Sequence, residues 1–403
     1  MAKTDSKKDN KPAEWTSKYN PFNSDKLMAQ IPRWEGIQRW KYEGGALPPP
    51  TTVSVDPSNI CDLRCDGCNA SEVMHKNPRS MISKEGLEQL ADFLGQWEVD
   101  GFKVKSVCGG GGGEPLINPH TSDFINRATQ NGLKVGVVTN GTQIHNHLDA
   151  LVKCDWVGVS VDAAYQHTYK KVKGADKFPQ VIKNIRELVK ASQGAPYVHP
   201  LGDEGNGRGV FFKYLLRPET VNEVYYAAKL AKSLGCRGMH IRPIAPPWGD
   251  LEKAAAEGAT IPNRFSDDDI SRFRKRLTSA RELEDDKFHI YGVTHKFDGT
   301  FAPTHDFKSC NAAYMSMVVM PPSSTFGGAQ YDITTCCDRR GDDTLTAKNL
   351  MNAGQIANYW GSEVHRYVAE TIDVTKCPRC TFSPHQKIFE NAVEVDNMTT
   401  DFI

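Results

Sequence analysis

Cys61, Cys65 and Cys68 stand in the run Asn59-Ile60-Cys61-Asp62-Leu63-Arg64-Cys65-Asp66-Gly67-Cys68, directly after an apolar, strand-like segment. A C-x3-C-x2-C loop brings three thiolates to one small volume, which suits three irons of a cubane cluster and leaves the fourth iron without a protein ligand. An iron left open in this way can bind a substrate or cofactor. Zinc is the competing occupant, but a structural zinc takes four Cys or His ligands, and the nearby fourth would be His75.

Two further runs have the residue types of a binding site. Gly109 to Gly113, followed by Glu114-Pro115, is a string of five glycines after a candidate strand, and it lets the backbone approach a ligand with no side chain in the way. It has neither the Gly-x-Gly-x-x-Gly register of a dinucleotide site nor the Gly-Lys-Ser/Thr ending of a triphosphate loop. A later strand ends Gly158-Val159-Ser160-Val161-Asp162, where a period of two points Ser160 and Asp162 to one side as a hydroxyl and a carboxylate fit to hold a ribose. Lys213, Arg217 and His240 fall at cavity-side strand positions and are candidates for substrate contact. A second cysteine set comprises Cys310, the pair Cys336-Cys337, and Cys377-Pro-Arg-Cys380, while Cys108, Cys154 and Cys236 read as small buried hydrophobes.

The elements that must position these residues alternate. Candidate strands at 51–55, 102–107, 133–138, 156–161, 209–216 and 238–241 are separated by helical patterns, the clearest opening at Ser83 with Leu87, Leu90, Leu94 and Trp97 on one face. Six β-α units in a row imply an α/β fold with a parallel sheet and right-handed crossovers, an open doubly wound sheet or a barrel, with function at the C-terminal ends of the strands. Residues 1–50 read as a polar flexible tail and a helical extension carrying Leu27, Ile31, Trp34, Ile37 and Trp40, with Pro32 interrupting it. Residues 51–250 are the α/β unit, 251–300 a helical connection with a helix capped by Ser266, and 301–403 a smaller cysteine-bearing domain. The 49 basic and 49 acidic residues cancel, so no overall field favours nucleic acid or an anionic membrane. With no long apolar run and no secretory signal, the expected location is the cytoplasm, where eleven cysteines are kept reduced and clustered ones serve as metal ligands.

Taken together, the cysteine loop, Gly112-Gly113-Glu114-Pro115 and the strand ending at Asp162 resemble the radical S-adenosylmethionine (SAM) superfamily over residues 50 to 245. The resemblance implies a partial (βα)6 TIM-like barrel, a [4Fe-4S] cluster on Cys61, Cys65 and Cys68, and SAM as cofactor. It carries cofactor-binding roles to Gly112, Gly113, Glu114, Ser160 and Asp162, and places Asn140, in Thr139-Asn140-Gly141, on the cavity wall. Arg242 is the candidate for the methionine carboxylate, because a guanidinium matches a carboxylate in fork geometry. The chemistry implied is reductive cleavage of SAM to a 5'-deoxyadenosyl radical that removes a hydrogen atom from substrate. No catalytic side chain beyond the cofactor site is assigned.

The second cysteine set, over residues 301 to 385, resembles the twitch/SPASM-like auxiliary-cluster domain of that superfamily, a small α+β iron-sulfur unit. It implies a second [4Fe-4S] cluster on Cys310, Cys336 or Cys337, Cys377 and Cys380, with Cys336 preferred of the pair; tetrahedral zinc is the alternative. Four thiolates leave no iron for substrate, so the cluster is expected to accept an electron, as in aminocyclitol dehydrogenases. The expected substrate is a small polar metabolite such as a sugar, cyclitol or nucleoside, and the expected electron donor a flavodoxin or ferredoxin-type protein. A peptide- or protein-modifying maturase and a non-catalytic zinc- or cluster-binding module are the alternatives.

Overall fold

Short valine-rich segments alternate with amphipathic helices throughout the first part of the chain, and β-branched side chains fit a pleated surface covered on one face. The computed structural model describes residues 24–71, 74, 80–192, 209–245, 253, 257, 264–294, 297, 307–324, 326–377 and 380–394. His75 and the expected polar tail at 1–20 lie outside the described residues. The strands are β1 (Thr52–Val55), β2 (Glu98–Val99), β3 (Phe102–Lys103), β4 (Ser106–Gly109), β5 (Lys134–Thr139), β6 (Trp156–Ser160), β7 (Gly209–Leu216), β8 (Gly238–Pro243), β9 (His289–Gly292), β10 (Met317–Met320), β11 (Tyr331–Thr334) and β12 (Thr346–Leu350).

One sheet of ten strands runs in the order β12-β11-β10-β1-β4-β5-β6-β7-β8-β9, and β2 and β3 form a separate ribbon. From β10 through β9 every neighbouring pair is parallel, which is the partial-barrel architecture expected. The six expected strands are all present, except that 102–107 divides into β3 and β4. Two further stretches of the chain add strands to this sheet. The stretch 251–300 is not only helical, because β9 adds a parallel strand beside β8. Within the stretch 301–403, β10 pairs in parallel with β1 and carries β11 and β12 as an antiparallel extension of the same sheet.

Burial alternates along the central strands. Val53, Val55, Val107, Val137, Val159, Phe212, Tyr214 and Ile241 are fully covered, the pattern of a face packed under helices. Ser54, Cys108, Val138, Ser160, Lys213, His240 and Arg242 alternate with them and are less covered, so this second face is the open concave lumen. The helix Lys84–Gln96 is capped by Ser83, which accepts from Gly86 N at 2.9 Å, and buries Leu87, Leu90 and Leu94.

Pro32 begins the N-terminal helix rather than interrupting it: a 3-10 turn, Ser24–Gln30, leads into the α-helix Ile31–Glu43 with the proline in its first turn, where its missing N–H is not needed. This helix lies between barrel and C-terminal segment. Arg33 donates to Pro49 O and to Lys103 O, the latter at 2.8 Å, while Trp40 meets Tyr314 edge-on at 5.0 Å.

Candidate cofactor site

The cysteine loop leaves β1 at Asp56 and is held from three sides. Arg64 N donates to Lys173 O and Asp66 N to Val172 O, so the C-terminal turn of the helix Gln166–Lys173 is docked on the loop. Arg217, just after β7, donates to the Asp66 carboxylate at 2.8 Å and to the Asp66 carbonyl. The loop then turns at Gly67, φ +62°, with Cys68 N donating to Cys65 O. All three thiols are half-buried. Burial pushes the Cys61 thiol up to about 12 and raises that of Cys65, which Lys173 partly opposes.

This donor set fits an iron-sulfur cluster with one open iron. Both carboxylates of the loop are engaged, Asp66 by Arg217 and Asp62 by accepting from Asn140 Nδ2 at 2.8 Å and Thr142 Oγ1 at 2.7 Å. Among the described residues no three Cys, His, Asp or Glu side chains converge as a single metal ion requires. Three soft ligands spaced apart on one loop are the arrangement a cubane needs.

The glycine string is shaped by packing. A Cβ on Gly113 would lie 2.5 Å from Ser58 O, on Gly112 2.5 Å from Asp56 Oδ2, and on Gly110, whose φ is +110°, 2.5 Å from Val138 O. The string is wedged between the start of the cysteine loop and β5, and Glu114 N donates to Ile60 O at 2.8 Å. The Glu114 side chain points inward instead of toward a ligand. It is 2% exposed and accepts from Leu116 N, Thr139 Oγ1 and Asn140 N. Its carboxyl is pushed up to about 7 by burial, against the pull of those donors.

Ser160 ends β6 on the lumen face, but Asp162 does not share its side. The strand stops at Ser160, and Asp162 has φ +62°, so the period of two fails there. Both Asp162 oxygens are taken, one by Lys173 Nζ in a buried ion pair and one by Leu215 N at 2.6 Å. Its carboxylate thus ties the end of β6 to β7 and to the helix Gln166–Lys173. Arg217 is likewise engaged within the fold, at 3% exposure and paired to Asp66. Arg242 stays exposed on the lumen face, and His240 and Lys213 line the same face behind it.

Residues 55–208 match the family model described as the radical SAM superfamily. The chain carries a radical SAM domain. The cofactors of that superfamily are a [4Fe-4S] cluster and SAM, and the cysteine loop has the donors for them. A GTP 3',8-cyclase of Paracoccus denitrificans is 28% identical over 151 residues, 36% of this chain and 42% of the cyclase, so the chain spans less than half of that relative. Mycofactocin maturase MftC of Mycobacterium tuberculosis is 22% identical over 349 residues, 84% of this chain and 78% of the maturase. SuiB of Streptococcus suis bound to S-adenosylmethionine superposes with a TM-score of 0.58 at 14% identity, covering 87% of this chain and 76% of SuiB. The enzyme anSMEcpe with bound AdoMet gives 0.54 at 15% identity, covering 84% and 85%. The two solved structures share this chain's fold over most of its length.

Beyond the radical SAM domain, Cys310, Cys336, Cys337, Cys377 and Cys380 all line one cavity, walled by apolar side chains such as Phe307, Leu345, Val374 and Phe382. Five thiols in one apolar cavity have the composition of a second cluster site. Both members of the adjacent pair face it, with Cys336 in electrostatic contact with Cys310. Burial raises the Cys310 thiol to about 11 and that of Cys336 well above its ordinary value, so thiolates there require a compensating cation. This cavity is joined to the barrel by a residue that spacing did not single out. Arg340 donates to Cys337 O at 2.6 Å and to Asp56 at 2.9 Å, and its guanidinium lies over Gly111. Arg340, Asp56 and Lys173 carry no motif, and Arg340 and Asp56 are 284 residues apart. The only signal was an acidic residue following the first strand.

Proposed function

We propose that the protein is a radical SAM enzyme that cleaves S-adenosylmethionine reductively and removes a hydrogen atom from substrate, with an auxiliary cluster accepting an electron from the resulting substrate radical. The observation that carries this reading is the clamped three-thiol loop beside the glycine string at the C-terminal edge of a parallel barrel. When bound, the cluster and SAM supply the carbon radical; the rest is positioning by the protein. Cys61, Cys65 and Cys68 hold the cluster, Gly112 and Gly113 keep the backbone of the string close to it, and Asn140 fixes the loop carboxylate Asp62. Ser160 and Arg242 are the remaining cofactor contacts at the strand ends. The apolar C-terminal cavity keeps water from its thiols, and Cys310, Cys336 or Cys337, Cys377 and Cys380 would close all four irons of the second cluster.

For substrate, the relatives that run through both the barrel and the C-terminal segment support a peptide or protein: one is named a maturase, and another was solved with a precursor peptide. The small polar metabolite is the second reading, favoured by the charged lumen. A flavodoxin or ferredoxin-type donor would deliver the electron to the first cluster. The test is anaerobic reconstitution. The full chain should hold about eight irons and form 5'-deoxyadenosine from SAM on dithionite reduction. Replacing Cys61, Cys65 and Cys68 together by Ala should abolish that cleavage and halve the iron while leaving the circular dichroism unchanged. Undiminished cleavage, or zinc in place of iron, refutes the reading.

A further inference from the structure

Two interior glycines make room for an unusual lumen floor. A Cβ on Gly136 would lie 2.3 Å from the Trp156 ring, and one on Gly158 2.7 Å from Lys213 Cδ. Their absence lets the Trp156 indole lie flat across β5 and lets the Lys213 stem run back along β6, away from the strand ends. The Lys213 ammonium comes to rest 5.7 Å from the centroid of the Trp156 ring. Among the described residues no carboxylate is hydrogen-bonded to it, while Cys108 and Asp162 act on its charge from nearby. The nearby acids are engaged elsewhere: Asp162 by Lys173 and Leu215 N, Asp56 by Arg340. Arg242, two residues beyond Lys213's register partner His240 on β8, adds a second positive charge to the same face, and burial and then repulsion from Arg242 lower the Lys213 pKa against the pull of Cys108 and Asp162. A partly buried ammonium facing an open lumen with no carboxylate hydrogen-bonded to it is stabilised when an anion arrives to pair with it.

We propose that Lys213 is the anion-binding residue of the substrate pocket, pairing with a carboxylate or phosphate group of the substrate at the lumen floor. This deepens the reading above, since it takes the barrel lumen to be the substrate chamber of a radical SAM enzyme. The anion belongs to substrate and not to cofactor because the cofactor contacts, Gly113, Asn140 and Ser160, lie at the strand ends, whereas the ammonium is directed down toward the first residue of β6. A bound anion at this depth would leave the rest of the substrate pointing up toward the cluster loop. It would select acidic peptides or phosphorylated and carboxylated metabolites over neutral sugars.

The test uses the full chain with reconstituted clusters and two probes, pyrophosphate and glutarate, titrated by calorimetry in the presence of saturating SAM. One of the two should bind, telling phosphate from carboxylate, and Lys213→Met should weaken that binding at least about tenfold, the order expected for losing a charge-assisted contact. Lys213→Arg should restore it, which also guards against a misfolded Met variant. Affinity for SAM should stay within about twofold in both. If Lys213→Met instead loses SAM affinity, the ammonium belongs to the cofactor; if probe binding is unchanged, or neither probe binds, the anion site does not exist. Iron content and 5'-deoxyadenosine formation on the same samples report separately on the underlying enzyme reading.

Discussion

With three donors and almost no contact with water, the Glu114 carboxyl ties the end of β4 to the end of β5. Because its folded pKa is raised from 4.5 to about 7, the fold binds a proton there that the unfolded chain has released. Its stability contribution is fully present below about pH 4.5 and is lost as pH rises toward 7. Glu114→Gln should therefore show a shallower fall in stability across that window, by up to about 1.4 kcal/mol per pH unit, in urea melts of the metal-free protein. Parallel slopes for parent and variant would show the carboxyl ionised throughout. The three cysteines and the glycine string were legible because everything their chemistry needs lies within a few residues. The fate of the Glu114 side chain was not, since two of its partners are 25 and 26 residues away.

The helix Gln166–Lys173 and the end of β6 form the clamp that sets the cysteine loop. Lys173 is 4% and Asp162 11% exposed at the side chain, and the lysine carbonyl receives Arg64 N at 3.2 Å. Removing one member of such a pair leaves the other charge buried and uncompensated, which costs about 3–5 kcal/mol, while removing both costs much less. Asp162→Ala should thus melt well below the parent, and Asp162→Ala with Lys173→Met should recover most of the loss. Recovery absent from the double variant would show that Asp162 acts through Leu215 N alone. The parallel strands themselves were readable from periodicity, and their count fell short only at β9 and β10. Both lie in segments whose apolar runs are short and whose flanks are charged or cysteine-bearing, so composition pointed to linker and separate domain. Asp162 was misplaced for a smaller reason: the alternation Gly158-Val159-Ser160-Val161-Asp162 looks continuous, but the backbone leaves the strand two residues before its end.

The pairing of β10 with β1 makes the C-terminal cysteines part of the barrel's own sheet. Val318 and Val319 are fully buried beside β1, Tyr331 donates to Gly86 O at 2.6 Å, and Trp360 donates to Pro48 O at 3.0 Å. Arg340 adds an ion pair to Asp56, at the base of the loop that carries Cys61. The two candidate cluster sites are thus linked through one guanidinium. A chain shortened to end at residue 300 would expose the β1 edge and strip the core of these side chains, so it should not fold cooperatively. Cys377→Ala with Cys380→Ala keeps every strand and every one of those contacts. That variant should lose about half of the eight irons yet keep the parent's circular dichroism, a cooperative melt and 5'-deoxyadenosine formation. A shortened chain that folds, holds four irons and cleaves SAM would show instead that the C-terminal segment is a separable domain.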